Sequence, residues 1–211
     1  MYYVKPYNVE DKLVIEKLMT ENPLALICGS TIDGLPVASH IPLLVEKGQG
    51  GEILYLYGHL MKGTDHFQAL LANNNVLAVF TGDNHYISAN YYKGGQSAST
   101  WNYETVHVRG QVEWVDEIML RNILAKTQDY FEKTVNEDCF FETLADSYVN
   151  KHLAAIIGFK INIQSIKATI KMSQDKGAEE RKGIVEGLCK WGSESSKIMA
   201  EKIKTINKKD K

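Results

Sequence analysis

The sequence predicts an α+β fold, mainly β, in which an antiparallel barrel carries added helices. Runs of β-forming residues separated by turns fill the first part of the chain, a long alternating strand follows, and the chain becomes helical after Gln174. With 44% hydrophobic and 24% charged residues among 211, the composition is that of a globular protein and excludes disorder. The formal net charge, 24 − 26 = −2, implies no strong electrostatic partner.

The first predicted elements are a helix and several strands. Asn8 is a candidate N-cap for a helix over residues 8–20. The β-forming runs predict an antiparallel meander, and they cover residues 24–28, 37–45, 53–57 and 76–81. The glycine-rich residues 47–52 predict a hairpin loop, because no helix follows them as a dinucleotide-binding loop requires. Thr64 is a candidate cap for a crossover helix in which Phe67, Leu70 and Leu71 share a face.

The second part of the chain alternates a long strand with helices. Val106, Val108 and Val112 alternate with polar residues over 105–115, which predicts one buried and one polar face. Apolar residues three and four positions apart predict a helix over 116–133 and further helices after Gln174. We therefore expect a barrel domain over residues 1–175 and a C-terminal helical extension over 176–211.

Several classes of protein are excluded by what the sequence lacks. Cys28, Cys139 and Cys189 are odd in number and widely spaced, so we expect no disulfide framework and a reducing cytoplasm. A signal peptide and a membrane span are not predicted, because no basic start precedes an apolar run and no 18 consecutive residues are apolar. The six histidines lack metal-binding spacing and no nucleophile motif occurs, so neither a metal nor a catalytic residue is assigned.

Polar and aromatic residues concentrate at predicted strand ends, where barrels hold their ligands. The segments are Ser39-His40-Ile41-Pro42, Gly58-His59, Tyr86-Ile87-Ser88, Thr100-Trp101-Asn102-Tyr103-Glu104-Thr105-Val106-His107 and Lys171-Met172-Ser173-Gln174. In type, order and spacing they closely resemble the PaiB-like family of FMN-binding proteins. The resemblance implies a split β-barrel of the pyridoxamine-phosphate-oxidase type, usually a homodimer with FMN where the two barrels meet. Where the family has H-x-A-R-A-N-P, this chain keeps a cation at Lys62 but loses the Asn-Pro pair.

The resemblance implies FMN as cofactor and a set of binding residues. The FMN phosphate needs cations and hydroxyl groups, for which Lys62, Thr64 and Lys171 are the candidates. The flavin ring needs an apolar wall and hydrogen-bonding groups, for which the candidates are Trp101, Asn102, Gln174, Ser39 and the backbone of Leu60 and Met61. The resemblance adds His40, His59, Ser88, Thr100 and His107 to this set.

Each assignment has a structural alternative. Trp101 is equally typical of a strand core, and Lys62 and Lys171 of a solvated surface. His107 lies on the polar face of its strand, which suits a dimer interface or a site. The function expected is that of an FMN-dependent oxidoreductase or flavin carrier. The alternatives are a negative transcriptional regulator, although the net charge gives little support for DNA binding, and a non-catalytic haem- or ligand-binding barrel.

Overall fold

The computed structural model describes residues 4–92, 97–135 and 141–206, and in this part of the chain eight strands form one antiparallel sheet. The strands are β1 (Asn8–Val9), β2 (Leu24–Ser30), β3 (Pro36–Pro42), β4 (Leu44–Lys47), β5 (Ile53–Met61), β6 (Asn75–Ile87), β7 (Thr100–Trp114) and β8 (Ile156–Lys171). The helices are α1 (Lys12–Glu21), α2 (Asp65–Ala72), α3 (Glu117–Val135), α4 (Asp146–Leu153), α5 (Ala178–Trp191) and α6 (Glu194–Ile206). Among the residues described, no helix is both long and apolar enough to cross a membrane.

The chain divides into two compact units. The internal unit comprises Asn22–Phe80 and His107–Ile166, and the terminal unit comprises Met1–Glu21, Thr81–Val106 and Lys167–Lys211. Strands β6, β7 and β8 each contribute residues to both units. The two ends of each of these strands therefore pack in different units.

The internal unit is built on two hairpins with an apolar core. In the first, β2 pairs with β3 from Leu24 opposite Pro42 to Ser30 opposite Pro36, and Gly34 supplies the positive φ of 81° in the turn. In the second, β4 pairs with β5 around a turn in which Gly51 has a φ of 80°. The core of this unit consists of fully buried apolar side chains, among them Phe80, Phe159, Ile27, Leu56 and Ile161.

The strand order corrects the predicted meander. The order is β3-β2-β6-β7-β8-β5-β4, with β1 paired to β8, so β3 and β4 lie at opposite ends although they are consecutive in sequence. Gly58 of β5 nevertheless lies against the end of β3, because a Cβ added there would come within 3.0 Å of the Pro42 carbonyl oxygen. A short stretch of sequence predicts a hairpin, because the turn residues lie within it. It does not predict which distant strands pair, because that pairing depends on tertiary packing.

Two local predictions were also wrong. Asn8 does not cap α1: it pairs with Thr169 in β1, and the Asp11 carboxylate accepts from the Leu13 amide at 2.9 Å instead. Leu71 does not share the buried face of α2, because it remains 53% exposed while Leu70 is fully buried. The predicted long strand, the helix after it and the terminal helices are present as β7, α3, α5 and α6. Cys139 lies outside the described residues, and the predicted domain boundary at residue 175 stays a prediction.

Candidate functional site

The turn between β5 and α2, in the internal unit, brings several predicted residues together. Antiparallel pairing sets His59 opposite Gly158 and the buried Leu60 opposite Ile157, which leaves the next residue, Met61, 55% exposed. Lys62 follows and is exposed. Its backbone N–H donates to the Ala155 carbonyl at 2.9 Å and its Nζ donates to the Ala154 carbonyl at 3.3 Å. Since Ala154 is the C-cap of α4, the ammonium group also lies where the helix dipole favours positive charge.

Thr64 begins α2 as its N-cap, as predicted. Its hydroxyl accepts from the Phe67 amide at 3.2 Å and donates to the Met61 carbonyl at 2.9 Å. The Asp65 carboxylate accepts from the His66 amide at 2.7 Å. The first turn of this helix therefore already carries one exposed negative charge close to its N-terminus.

Ser39 of β3 is bonded to a histidine that the sequence analysis did not single out. His66 is 1% exposed, and its Nδ1 lies 2.8 Å from the Ser39 Oγ. Its Nε2 is buried and has no hydrogen-bond partner among the described residues. An unpaired N–H costs more than an unpaired ring lone pair, so we assign the proton to Nδ1. His66 then donates to Ser39, and the Ser39 hydroxyl hydrogen can donate to a ligand.

The other predicted histidines of the internal unit differ in exposure. His40 is exposed on β3, opposite Leu26. His59 and His107 are half-buried, and burial lowers the pKa of each imidazole. Burial likewise lowers the pKa of His66. The lowered pKa values favour the neutral form of these three side chains at pH 7.

In the terminal unit, the T-W-N-Y segment distributes its side chains over both faces of β7. Thr100 accepts from the Lys171 Nζ at 2.5 Å, and the fully buried Asn102 donates from Nδ2 to the Ser173 hydroxyl at 2.9 Å. Trp101 is 54% exposed and meets Tyr86 edge to face with ring centroids 6.1 Å apart. Successive strand residues point to opposite faces, so Trp101 and Asn102 lie on opposite sides of the sheet.

Two further predicted residues have clear roles within the chain. The Gln174 Nε2 donates to the carbonyls of Pro6 at 3.0 Å and Ile170 at 2.6 Å, and its Oε1 accepts from the Met172 amide. These bonds hold the turn in which Ser173 adopts a positive φ of 58°. The Ser88 hydroxyl accepts from the Asn90 amide and caps the short helix Ala89–Tyr91. Whether either side chain also contacts a cofactor stays a prediction.

The terminal unit also contains a polar cavity of about 380 Å³. Lys171 and Thr100, which the sequence analysis selected, line it. Several other lining residues were missed, among them Tyr7, Tyr92, Asp175 and Lys176. Lys176 directly follows the Lys-Met-Ser-Gln segment and could have been found from that position. Tyr7 could not, since only the tertiary structure brings it to residue 171.

Comparison with known proteins gives the chain a family. The family model described as "Putative FMN-binding domain" matches residues 1–165. The chain belongs to this family. A curated relative, the protease synthase and sporulation protein PAI 2 of Bacillus subtilis (strain 168), is 28% identical over 201 residues, which cover 95% of each chain. The predicted PaiB-like membership is therefore confirmed, and with it the prediction of FMN as the cofactor.

Solved structures extend the likeness to the fold. The FAD and heme binding protein from Mycobacterium smegmatis has a TM-score of 0.60 at 18% identity, over 86% of this chain and 80% of that one. The flavocytochrome Anf3 from Azotobacter vinelandii has a TM-score of 0.55 at 12% identity, over 78% and 69% of the two chains. The predicted class, α+β and mainly β with a split barrel, is confirmed.

The donor set of the internal unit fits a flavin nucleotide. Lys62 offers a cation for the phosphate, and the Ser39 hydroxyl, bonded to the buried His66, offers a donor for an acceptor atom of the ring. The hydroxyl hydrogen of Thr64, the other residue predicted for the phosphate, is donated to the Met61 carbonyl. When FMN is bound it supplies the redox chemistry, and the protein contributes orientation and electrostatics.

Proposed function

We propose that this chain holds FMN at the turn between β5 and α2 and acts as a flavin-dependent oxidoreductase or flavin carrier. The observation that carries the proposal is the Ser39–His66 pair beside a turn that exposes Lys62, in a member of an FMN-binding family. The ring contact and the phosphate contact are separate features, so each can be tested by itself.

The proposed phosphate contact rests on the Lys62 ammonium group. An ammonium carries three donors, and one of them is directed to the Ala154 carbonyl at 3.3 Å. The remaining donors are available to an anion, because the side chain is exposed. Asp65, three residues on, adds an exposed carboxylate to the same turn and so repels the anion. We expect Asp65→Asn to strengthen FMN binding by a few-fold.

The proposed ring contact rests on the Ser39 hydroxyl. His66 occupies one lone pair of Oγ, so the hydroxyl hydrogen is left to donate to another group. The flavin pyrimidine edge carries acceptor atoms that such a hydrogen can reach. His66 acts here as a positioning residue, because it is 1% exposed and bonded to Ser39.

The test is a titration of the purified chain with FMN, followed by the shift of the flavin absorption bands. We expect Ser39→Ala to weaken FMN and riboflavin alike, by about two- to tenfold, because the ring is common to both. Ser147→Ala is the matched control, since it makes the same substitution at an exposed serine of α4 that was not assigned to the site. A protein that stays colourless and does not change the spectrum of added FMN would overturn the proposal.

The choice between oxidoreductase and carrier needs a kinetic comparison. If the flavin is reduced and reoxidised in place, several turnovers occur for each dissociation event. If the chain is a carrier, FMN leaves the protein faster than a reductant such as NADPH reduces it. Stopped-flow measurement of flavin release and of anaerobic flavin reduction separates the two.

Assembly as a homodimer is part of the proposal, supported by the family resemblance, and sedimentation equilibrium with and without FMN tests it. The name of the Bacillus relative refers to protease synthesis and sporulation, which keeps a role in transcriptional regulation as a prediction for this chain. Haem binding is likewise a prediction, and haem added in competition with FMN tests it.

A further inference from the structure

The polar cavity of the terminal unit, named here the lysine cavity, is lined by two lysines, two tyrosines and several hydroxyl groups. Lys171, Lys176, Tyr7, Tyr92, Thr100 and Asp175 are the residues on which the argument depends. Its volume of about 380 Å³ lies in the range of small-molecule sites. Both lysines and Asp175 follow residue 165, where the match to the family model ends.

Each lysine lies over an aromatic ring. The Lys171 Nζ is 5.9 Å from the centroid of the Tyr7 ring, and the Lys176 Nζ is 5.7 Å from that of Tyr92. These contacts orient flexible side chains toward one cavity and reduce the conformational entropy that binding a ligand would otherwise remove.

The charges of the cavity favour an anion. Asp175 pairs with Lys176, with 3.3 Å between Oδ2 and Nζ, so two cations face one carboxylate. Burial lowers the pKa of the Lys171 ammonium, with the positive charge of Lys176 acting in the same direction and Asp175 opposing it. An anion placed between the two lysines would relieve their repulsion and stabilise both in the charged form.

The donors favour a phosphate group over a carboxylate. Thr100 accepts from Lys171, so its own hydroxyl hydrogen can donate into the cavity. Two ammonium groups and several hydroxyl groups match a dianion with three acceptor oxygens better than a monoanion with two. We propose that the lysine cavity binds the phosphate group of a phosphorylated small molecule.

Titration calorimetry of the whole chain with inorganic phosphate tests this directly. We expect millimolar or tighter binding, weakened about tenfold or more in Lys171→Ala and in Lys176→Ala. Lys182→Ala, which removes an exposed lysine of α5, should bind like the wild type. If Lys171→Ala fails to fold, Lys176→Ala and Thr100→Val carry the test. Absence of phosphate binding, or equal binding by all variants, overturns the proposal.

The phosphate could belong to FMN or to another phosphorylated molecule, and a competition experiment distinguishes the sources. If FMN displaces inorganic phosphate while riboflavin does not, the cavity receives the FMN phosphate, and the phosphate contact proposed at Lys62 is overturned. If phosphate binds equally well to the FMN-loaded protein, the ligand is a second phosphorylated molecule. Both outcomes support a phosphate site here. The proposal of FMN binding at Lys62 fails separately, when the flavin spectrum shows no binding.

Discussion

The two halves of β7 bury different kinds of side chain. In the internal unit, Val108 and Val112 are buried around Gly110. In the terminal unit the same strand buries Asn102 and Glu104, each bonded to a side chain from beyond residue 166. The apolar half depends on close packing, whereas the polar half depends on specific hydrogen-bond and ion-pair partners. We therefore expect different kinds of substitution to destabilise the two halves.

The partners of the polar half come from the end of the chain. Lys202 of α6 bonds to Glu104 and lies 2.7 Å from the Asp83 carboxylate, while the Asp83 amide donates to Glu104 at 3.3 Å. Only 11% of the Glu104 side chain is exposed, so Lys202 supplies the opposite charge that water supplies to an exposed carboxylate. Helix α6 is therefore tied to β7 by charge, and its Met199 and Ile203 are buried.

The largest expected effect is in the apolar half, at Gly110. A Cβ there would lie 2.4 Å from the Asn162 carbonyl oxygen and 2.7 Å from Ile161 Cγ2, and the backbone oxygen cannot move independently of β8. We expect Gly110→Ala to lower the free energy of unfolding by about 3 kcal/mol. Urea denaturation measures this, with Gly63→Ala as control because a Cβ at Gly63 meets nothing within 4 Å. Equal stability of the two variants would contradict close packing here.

A smaller effect is expected in the polar half, at Lys202. Lys202→Ala leaves the Glu104 carboxylate without its cation, and we expect a loss of about 1–2 kcal/mol because the lysine is itself partly exposed. The double variant with Glu104→Gln should recover part of this loss, since a neutral amide is less costly to bury than a charge. Lys197→Ala on the exposed face of α6 is the control. No recovery in the double variant would mean that charge is not what ties the helix to β7.

The smallest effect concerns the pH dependence of stability and tests the histidines of the internal unit. Burial lowers the pKa values of His59, His66 and His107, so the unfolded chain binds more protons than the native one just below the ordinary histidine value of 6.5. Stability should therefore fall as the pH drops from about 7.5 toward 5, and His66→Asn should reduce the slope. Denaturant midpoints across this range measure it. A slope that is unchanged in His66→Asn would contradict the buried neutral imidazole.

Patterns within short stretches of the sequence predicted individual strands and helices and the family. They did not predict features that depend on contacts between residues far apart in the sequence. The alternation of Val106, Val108 and Val112 predicted the core face of β7, because strand periodicity lies within a short window. His66 was missed because its partner, Ser39, belongs to a strand of another hairpin. The lysine cavity was missed as a whole, since residues 7, 92 and 176 come together only in the folded chain.

The relative affinity for FMN and riboflavin, in the wild type and in Lys62→Ala, tests the proposed cofactor site most directly. The two flavins differ only in the phosphate group. We predict that the wild type prefers FMN and that Lys62→Ala weakens FMN by about tenfold while riboflavin binding is unchanged. A wild type that binds both flavins equally, or a Lys62→Ala variant that keeps the full preference for FMN, would contradict a phosphate contact at this turn.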